Sequence, residues 1–202
     1  MIRVRKWGLS PLLAALLVLV TGTGTAQATP GLDHGNYAWY NPGTTATNGL
    51  LKMYSANTTH SSVTAGSGKG SNWNNPCVSS QGRLPNGWYN TGNDKHINNK
   101  NTLIKGRVWG LADKNCGSGT IRTELFIHTE ENVANLQTCT AAPDDPYCWE
   151  GSFDYMSEGC VKVSWLPGIT TVHNWWHSTN VAGHHSTSYT AILYVGDNAP
   201  PS

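Results

Sequence analysis

The run Ser157-Glu158-Gly159-Cys160-Val161-Lys162 sets a thiol directly after a glycine, at the mouth of a short β-branched stretch. Glycine in that position permits a tight backbone turn and lets a substrate carbonyl come close. Backbone N–H groups near Gly159 and Cys160 are then placed to face the oxyanion that forms when sulfur attacks an acyl carbon. A cysteine is only a few per cent ionised at neutral pH, so this chemistry asks for a partner that draws the thiol down to about 6.5. Upstream, Arg122-Thr123-Glu124-Leu125-Phe126-Ile127-His128 alternates as a strand does, with His128 on the face opposite Ile127 and at the strand's exit. A histidine there suits a general base for the first residue of a neighbouring strand, so His128 and Cys160 form the expected dyad.

Whether Cys160 is free depends on the other cysteines. The chain opens with Arg3, Arg5 and Lys6, an apolar run from Leu9 to Val20, and the small-residue stretch Ala26-Gln27-Ala28. This is the pattern of a secretory signal peptide over residues 1–28, with cleavage after Ala28 and no cysteine following to accept a lipid. The run is shorter than the roughly 20 apolar residues of a membrane helix, and no later segment approaches that length, so an exported chain without a membrane span is expected. Five cysteines in an oxidising compartment leave one unpaired. Cys139 and Cys148 bracket a Pro- and Asp-containing stretch and read as a stapled loop worth about 2–3 kcal/mol, and Cys77 and Cys116 form the remaining pair. Four cysteines allow three connectivities, but the odd count turns Cys160 from half of a disulfide into a candidate nucleophile.

What remains after the signal is long enough for one domain of the usual 100–200 residues or so. The signal removes three cations and no acid, which leaves a small net negative charge and no electrostatic reason for a nucleic-acid partner. Strand signals lie at Leu50 to Tyr54, Trp88 to Tyr89, Leu103 to Leu111, Glu124 to His128, Cys160 to Trp165 and Tyr189 to Val195, and no window holds a helical period over three turns. The fold class is mainly β. Residues 29–48 read as an irregular arm touching the surface through Tyr37, Trp39 and Tyr40, and residues 49–202 as a single domain. Gly66-Ser67-Gly68-Lys69-Gly70 lacks the ending of a phosphate loop and reads as a β-connection.

Taken together, these pieces resemble the YkuD-type L,D-transpeptidases, closest in pattern to an effector-like branch with S-x-G-C in place of S-H-G-C. Gly82-Arg83-Leu84-Pro85-Asn86-Gly87-Trp88-Tyr89 is similar to that family's G-x-x-P-x-G-x-Y turn. Arg122 to His128 is similar to its R-x-x-x-x-I-H strand, and Ser157 to Lys162 to its nucleophile motif. The resemblance implies a β-sandwich catalytic domain with short helical or irregular insertions and no cofactor. It implies a secreted, monomeric enzyme at the cell wall that acts on peptidoglycan stem peptides. Cys160 would form a thioester, and cross-linking or hydrolysis would follow. Ser157 and Gly159 belong to the implied catalytic motif. The family commonly has a histidine where this chain has Glu158, so the base falls to His128. Glu158 is left to orient His128, to bind a cationic amine or to stand in solvent. Arg122 either holds a peptide carboxylate or sits on the strand surface beside Glu124 or Asp113. The interval from His128 to Ser157 exceeds the family's, and residues 129–156 read as a disulfide-clamped insertion over the cleft.

His173, His177, His184 and His185 are the candidate metal ligands, but no glutamate of the metalloprotease pattern accompanies them, and no metal is expected. Nine tryptophans and eight tyrosines support a rival function, a non-catalytic wall or glycan binder, since aromatic faces stack on sugars.

Overall fold

The structure is a computed structural model that describes residues 36–97, 102–117, 119–139, 145, 147–178 and 191–200. The signal sequence at residues 1–28 and His184 and His185 lie outside the described residues.

Among the described residues there are ten strands: β1 (Tyr37–Asn41), β2 (Gly49–Ser55), β3 (Thr58–Gly66), β4 (Gly87–Ile97), β5 (Gly106–Leu111), β6 (Lys114–Asn115), β7 (Ile121–Arg122), β8 (Leu125–His128), β9 (Val161–Val163) and β10 (Ala191–Val195). An α-helix, α1, spans Thr170–Trp176, and shorter helical turns lie at Ser152–Tyr155 and Trp165–Ile169. Eight strands close on themselves in the order β1-β10-β4-β5-β8-β9-β3-β2, while β6 and β7 form a separate ribbon. The mainly-β expectation holds, and the sandwich expectation is corrected: one sheet closes into a barrel rather than two sheets facing each other. Closure depends on β1, which pairs in parallel with β10 and antiparallel with β2.

That strand also corrects the irregular arm expected at residues 29–48. Tyr37, Ala38, Trp39 and Tyr40 are all buried, so the segment shows no alternation of polar and apolar residues and escapes a period-two reading. Trp39 Nε1 donates to the Gly196 carbonyl at 2.8 Å and Gly196 N–H donates to Tyr40 O at 3.1 Å, which ties β1 to the chain beyond β10. The other barrel strand missed in the sequence is β3, whose outer positions are Thr, His and Ser; the two-residue strands β6 and β7 of the separate ribbon are missed as well. Strand β3 follows β2 through Ala56 and Asn57, both at positive φ (49° and 61°), a two-residue hairpin turn without the usual glycine.

An eight-stranded barrel is just wide enough for side chains to fill it. Here the filling comes from Tyr40, Leu51, Met53, Tyr89, Trp109, Ile127, Val161, Val163 and Leu193. The short helix α1 contributes Val172, Trp175 and Trp176, spaced so that all three share a face, and Trp176 packs against Trp109 with ring centroids 6.1 Å apart. Tyr89 lies in the core and its hydroxyl donates to Pro85 O at 2.7 Å, so the Gly-Pro-Gly-Tyr segment closes the entry to β4.

Both disulfides join the pairs expected from the sequence, Cys77 with Cys116 and Cys139 with Cys148, and Cys160 is free. Among the described residues no helix is long and apolar enough to cross a membrane.

Leu193 is fully buried where β10 meets β1 and β4. Leu193→Ala is expected to cost about 2–5 kcal/mol in urea unfolding, whereas a loss under 1 kcal/mol would mean that β1 and β10 do not seal the barrel.

Candidate functional site

Strands β8 and β9 are adjacent and parallel, with Ile127 paired to Val161 and His128 to Lys162. Leu125, Ile127, Val161 and Val163 point into the barrel core. The alternate residues Phe126, His128, Cys160 and Lys162 therefore lie on the opposite face, where they line a cleft of about 700 Å³ together with Thr129, Glu130, Met156, Ser157, Glu158 and Lys69. Both proposed dyad residues are thus on one wall, with His128 one step further along the strands than Cys160.

The approach to Cys160 is held from several sides. Gly159 has φ of 120°, and a Cβ there would stand 2.2 Å from Arg122 Nη2, so both backbone and space demand glycine. Ser157 Oγ donates to Cys160 O at 2.6 Å and accepts from Gly159 N–H at 3.2 Å and Gly68 N–H at 3.3 Å. Ser157 N–H donates to Gly68 O at 3.1 Å, so the glycine-rich segment after β3 braces the turn before Cys160. The Gly159 N–H expected to face an oxyanion is directed at Ser157 Oγ instead. Glu158 is ion-paired with Lys69 at 2.6 Å at the cleft rim, both side chains partly in solvent.

Arg122 is 7 % exposed, so it is not a surface cation beside Glu124 or Asp113. Its guanidinium donates to Pro76 O at 2.5 Å, Glu158 O at 2.6 Å, and Val78 O and Gly82 O at 3.4 Å. These are four carbonyls of the chain itself, and they occupy the fork expected to grip a peptide carboxylate. The residue bolts the Cys77-containing loop to the turn before Cys160.

Cys160 and His128 are 7 % and 6 % exposed, and no hydrogen bond joins them. The thiol donates to Glu124 O at 3.7 Å. Burial pushes it up to about 11, although the Phe126 backbone N–H and the Arg122 and Lys162 charges favour the thiolate. Burial, reinforced by the Lys162 ammonium, takes His128 down to about 3 against the pull of the Thr129 carbonyl. The lowered thiol expected from the sequence is therefore reversed. Desolvation outweighs the neighbouring charges, and the pair rests as neutral thiol and neutral imidazole. His128 Nδ1 lies 3.0 Å from Thr129 O; a carbonyl only accepts, so Nδ1 carries the proton and Nε2 is left with its lone pair.

Sequence reasoning missed Thr129 and Glu130. The signal was available for Glu130, because Phe126, His128 and Glu130 recur at every second position and so continue the cleft face. Glu130 is buried and paired with Lys162. Burial raises its carboxyl to about 7, Lys162 draws it down, and Asp154 and Glu150 push it up. The ends of the expected insertion at residues 129–156 contribute Thr129, Glu130 and Met156 to the cleft. The rings of His173 on α1 and His177 just past its end lie 4.4 Å apart, tilted by 52°, and no group of three metal-binding side chains occurs among the described residues.

No protein-family model matches the chain, and no curated protein matches it. Among solved structures it is similar to the L,D-transpeptidase from Xylanimonas cellulosilytica, at 14 % identity and a TM-score of 0.38, over 80 % of this chain and 60 % of that one. The chain therefore spans less than two thirds of that protein's resolved length.

Two predictions come from this geometry. Arg122→Met leaves carbonyls at both loops without their donor and is expected to cost about 2–4 kcal/mol, read by thermal unfolding; a neutral result would remove Arg122 from its bracing role. Cys160 held near 11 carries about a hundredfold less thiolate at neutral pH than an ordinary cysteine. Its iodoacetamide rate should accordingly be slow and still rising past pH 9, and a plateau reached near pH 6.5 would show a preformed ion pair. The linked stability has a definite sign: burial of the neutral thiol stabilises the fold fully below pH 9 and is lost as pH rises toward 11. For His128 the contribution is full above 6.5 and is lost as pH falls toward 3.

Proposed function

We propose that the chain is a secreted cysteine acyltransferase of the L,D-transpeptidase type, acting on peptidoglycan stem peptides as an L,D-transpeptidase, an L,D-carboxypeptidase or both. The reading rests on one observation above all. The one cysteine left out of the two disulfides shares a cleft wall, on adjoining parallel strands, with a neutral histidine whose Nε2 is bare.

In this reaction Cys160 turns from the Glu124 carbonyl toward the substrate. Its proton passes to His128 Nε2 as sulfur attacks the carbonyl between the third stem residue and the terminal D-alanine. The C–N bond then breaks, the leaving amine takes the proton from His128, and a thioester to Cys160 remains. An amine from a second stem, or water, attacks the thioester and gives its proton to His128, which returns it to the departing sulfur. Because the resting pair is neutral, deprotonation accompanies attack rather than preceding it. Phe126, Met156 and Thr129 line the same cleft. Ser157 and Gly159 hold the turn, and Arg122 holds the turn in place.

The test is incubation of the purified protein, beside Cys160→Ser, with disaccharide tetrapeptides, following products and intact mass. Released D-alanine and a thioester adduct are expected only with Cys160, and His128→Ala is expected to slow adduct formation by about 10²–10⁴-fold. Cross-linked dimers would identify a transpeptidase and tripeptides alone a carboxypeptidase. A folded protein with a titratable thiol and neither product nor adduct would overturn the reading in favour of a wall or glycan binder.

A further inference from the structure

The Cys77–Cys116 disulfide joins two pieces of chain that both lie outside the closed sheet, the stretch between β3 and β4 and the β6–β7 ribbon. Among the described residues, none at positions 67–83 or 112–124 belongs to the hydrophobic core. The ribbon side nevertheless carries two contacts that hold the sulfur. Arg122 on β7 donates to Glu158 O at 2.6 Å, and two residues further on Glu124 O accepts from the Cys160 thiol at 3.7 Å.

The loop supplies the other acceptors of the same guanidinium. Pro76 O at 2.5 Å is the close one, and Val78 O and Gly82 O at 3.4 Å are the long ones. Pro76 and Cys77 are consecutive, so fixing the sulfur fixes that carbonyl one peptide unit away. The loop's own N–H groups bond locally, Val78 to Asn75 O and Gly82 to Val78 O. A small circuit results: from Cys77 to Cys116, across the ribbon through the Lys114 and Arg122 pairing, and back through the guanidinium to Pro76.

Opening the disulfide breaks no rung of the barrel and leaves loop and ribbon joined by hydrogen bonds. A link spanning 39 positions restricts the chain strongly, and without it the loop gains freedom. A buried guanidinium stays buried only while its acceptors stay with it. When Pro76 O departs, Arg122 turns to water and releases Glu158 O, and Glu124 O leaves the thiol. The bond is also within reach of solvent: both cysteines are half-buried, with Asn115 and Gly117 exposed on either side of Cys116.

We propose that the Cys77–Cys116 disulfide is a redox latch on the Cys160 site, holding the thiol buried and in place when closed and releasing it when opened. Closure is exchange with a small disulfide such as oxidised glutathione. One cysteine thiolate attacks it and expels a thiol, and the second cysteine displaces the other half, so two electrons and two protons pass to two molecules of thiol. The site is assembled only where surroundings are oxidising enough to keep the bond. The latch is read at the thiol itself and goes beyond the acyl-transfer reading.

The experiment compares the wild type with Cys77→Ser/Cys116→Ser and Cys139→Ser/Cys148→Ser, each pulsed with iodoacetamide at neutral pH and followed by peptide mass beside urea unfolding. Burial holds the thiol at about 11, so its release is expected to raise Cys160 alkylation by about 10–100-fold in the first variant. The second variant should stay within about twofold of the wild type. The rise should be insensitive to low urea, as local opening is, rather than follow global unfolding. Should the first variant fail to fold, the wild type equilibrated with reduced and oxidised glutathione is alkylated instead. Molecules with Cys77–Cys116 open should then carry the Cys160 label ahead of those with it closed, and reoxidation should restore the slow rate. Equal labelling with that bond open and closed overturns the latch, as does a rise that tracks global unfolding or that opening Cys139–Cys148 reproduces. Thioester formation with a tetrapeptide donor is expected from the closed form alone. No adduct from either form removes the acyl-transfer reading and leaves the latch, already tested by alkylation, standing.

Discussion

The arrangement around Cys160 hangs on the buried guanidinium of Arg122. A charged group under a barrel wall is tolerated only when its donors are satisfied, and here the acceptors are backbone carbonyls from two separate stretches of chain, the loop at positions 76–82 and the turn at Glu158. Satisfying the cation and fixing the thiol's backbone are thus one event. Gly159 completes it, since any side chain at that position would occupy the space of the guanidinium. The Cys77–Cys116 disulfide anchors the same loop from its other side, so a covalent link and a charge both converge on the turn that presents the sulfur.

Much of this was legible in the chain. Cysteine parity identified Cys160 as unpaired, and alternation in Leu125 to His128 placed the imidazole away from the core. The interior of the barrel was less legible because its strands carry different disguises. Tyr37 to Tyr40 is buried on every residue and shows no period, while β3 presents Thr and Ser outward and its hairpin turn uses Ala56-Asn57. Closure through a parallel pairing between the first and last described strands has no local signature at all, because it is set by packing across the whole chain.

The site shows the same division. Residue types gave the chemistry and missed the electrostatics. Nothing in the sequence around Arg122 reveals that its partners are carbonyls far along the chain, and nothing around Cys160 reveals that desolvation overrides three nearby influences favouring the thiolate. Burial is a tertiary property: for the thiol it overrides the direction in which Arg122 and Lys162 would move it, and for the imidazole it adds to the push of the Lys162 ammonium.

That reversal bears on the durability of the protein in surroundings that keep two disulfides closed. Oxidants and stray disulfides attack thiolates, and they attack exposed ones first. A sulfur that is buried, protonated at neutral pH and turned toward a backbone carbonyl offers neither condition. The sheltering that slows its ionisation also keeps a fifth cysteine reduced beside four that are not, so one and the same desolvation both preserves the thiol and holds it protonated.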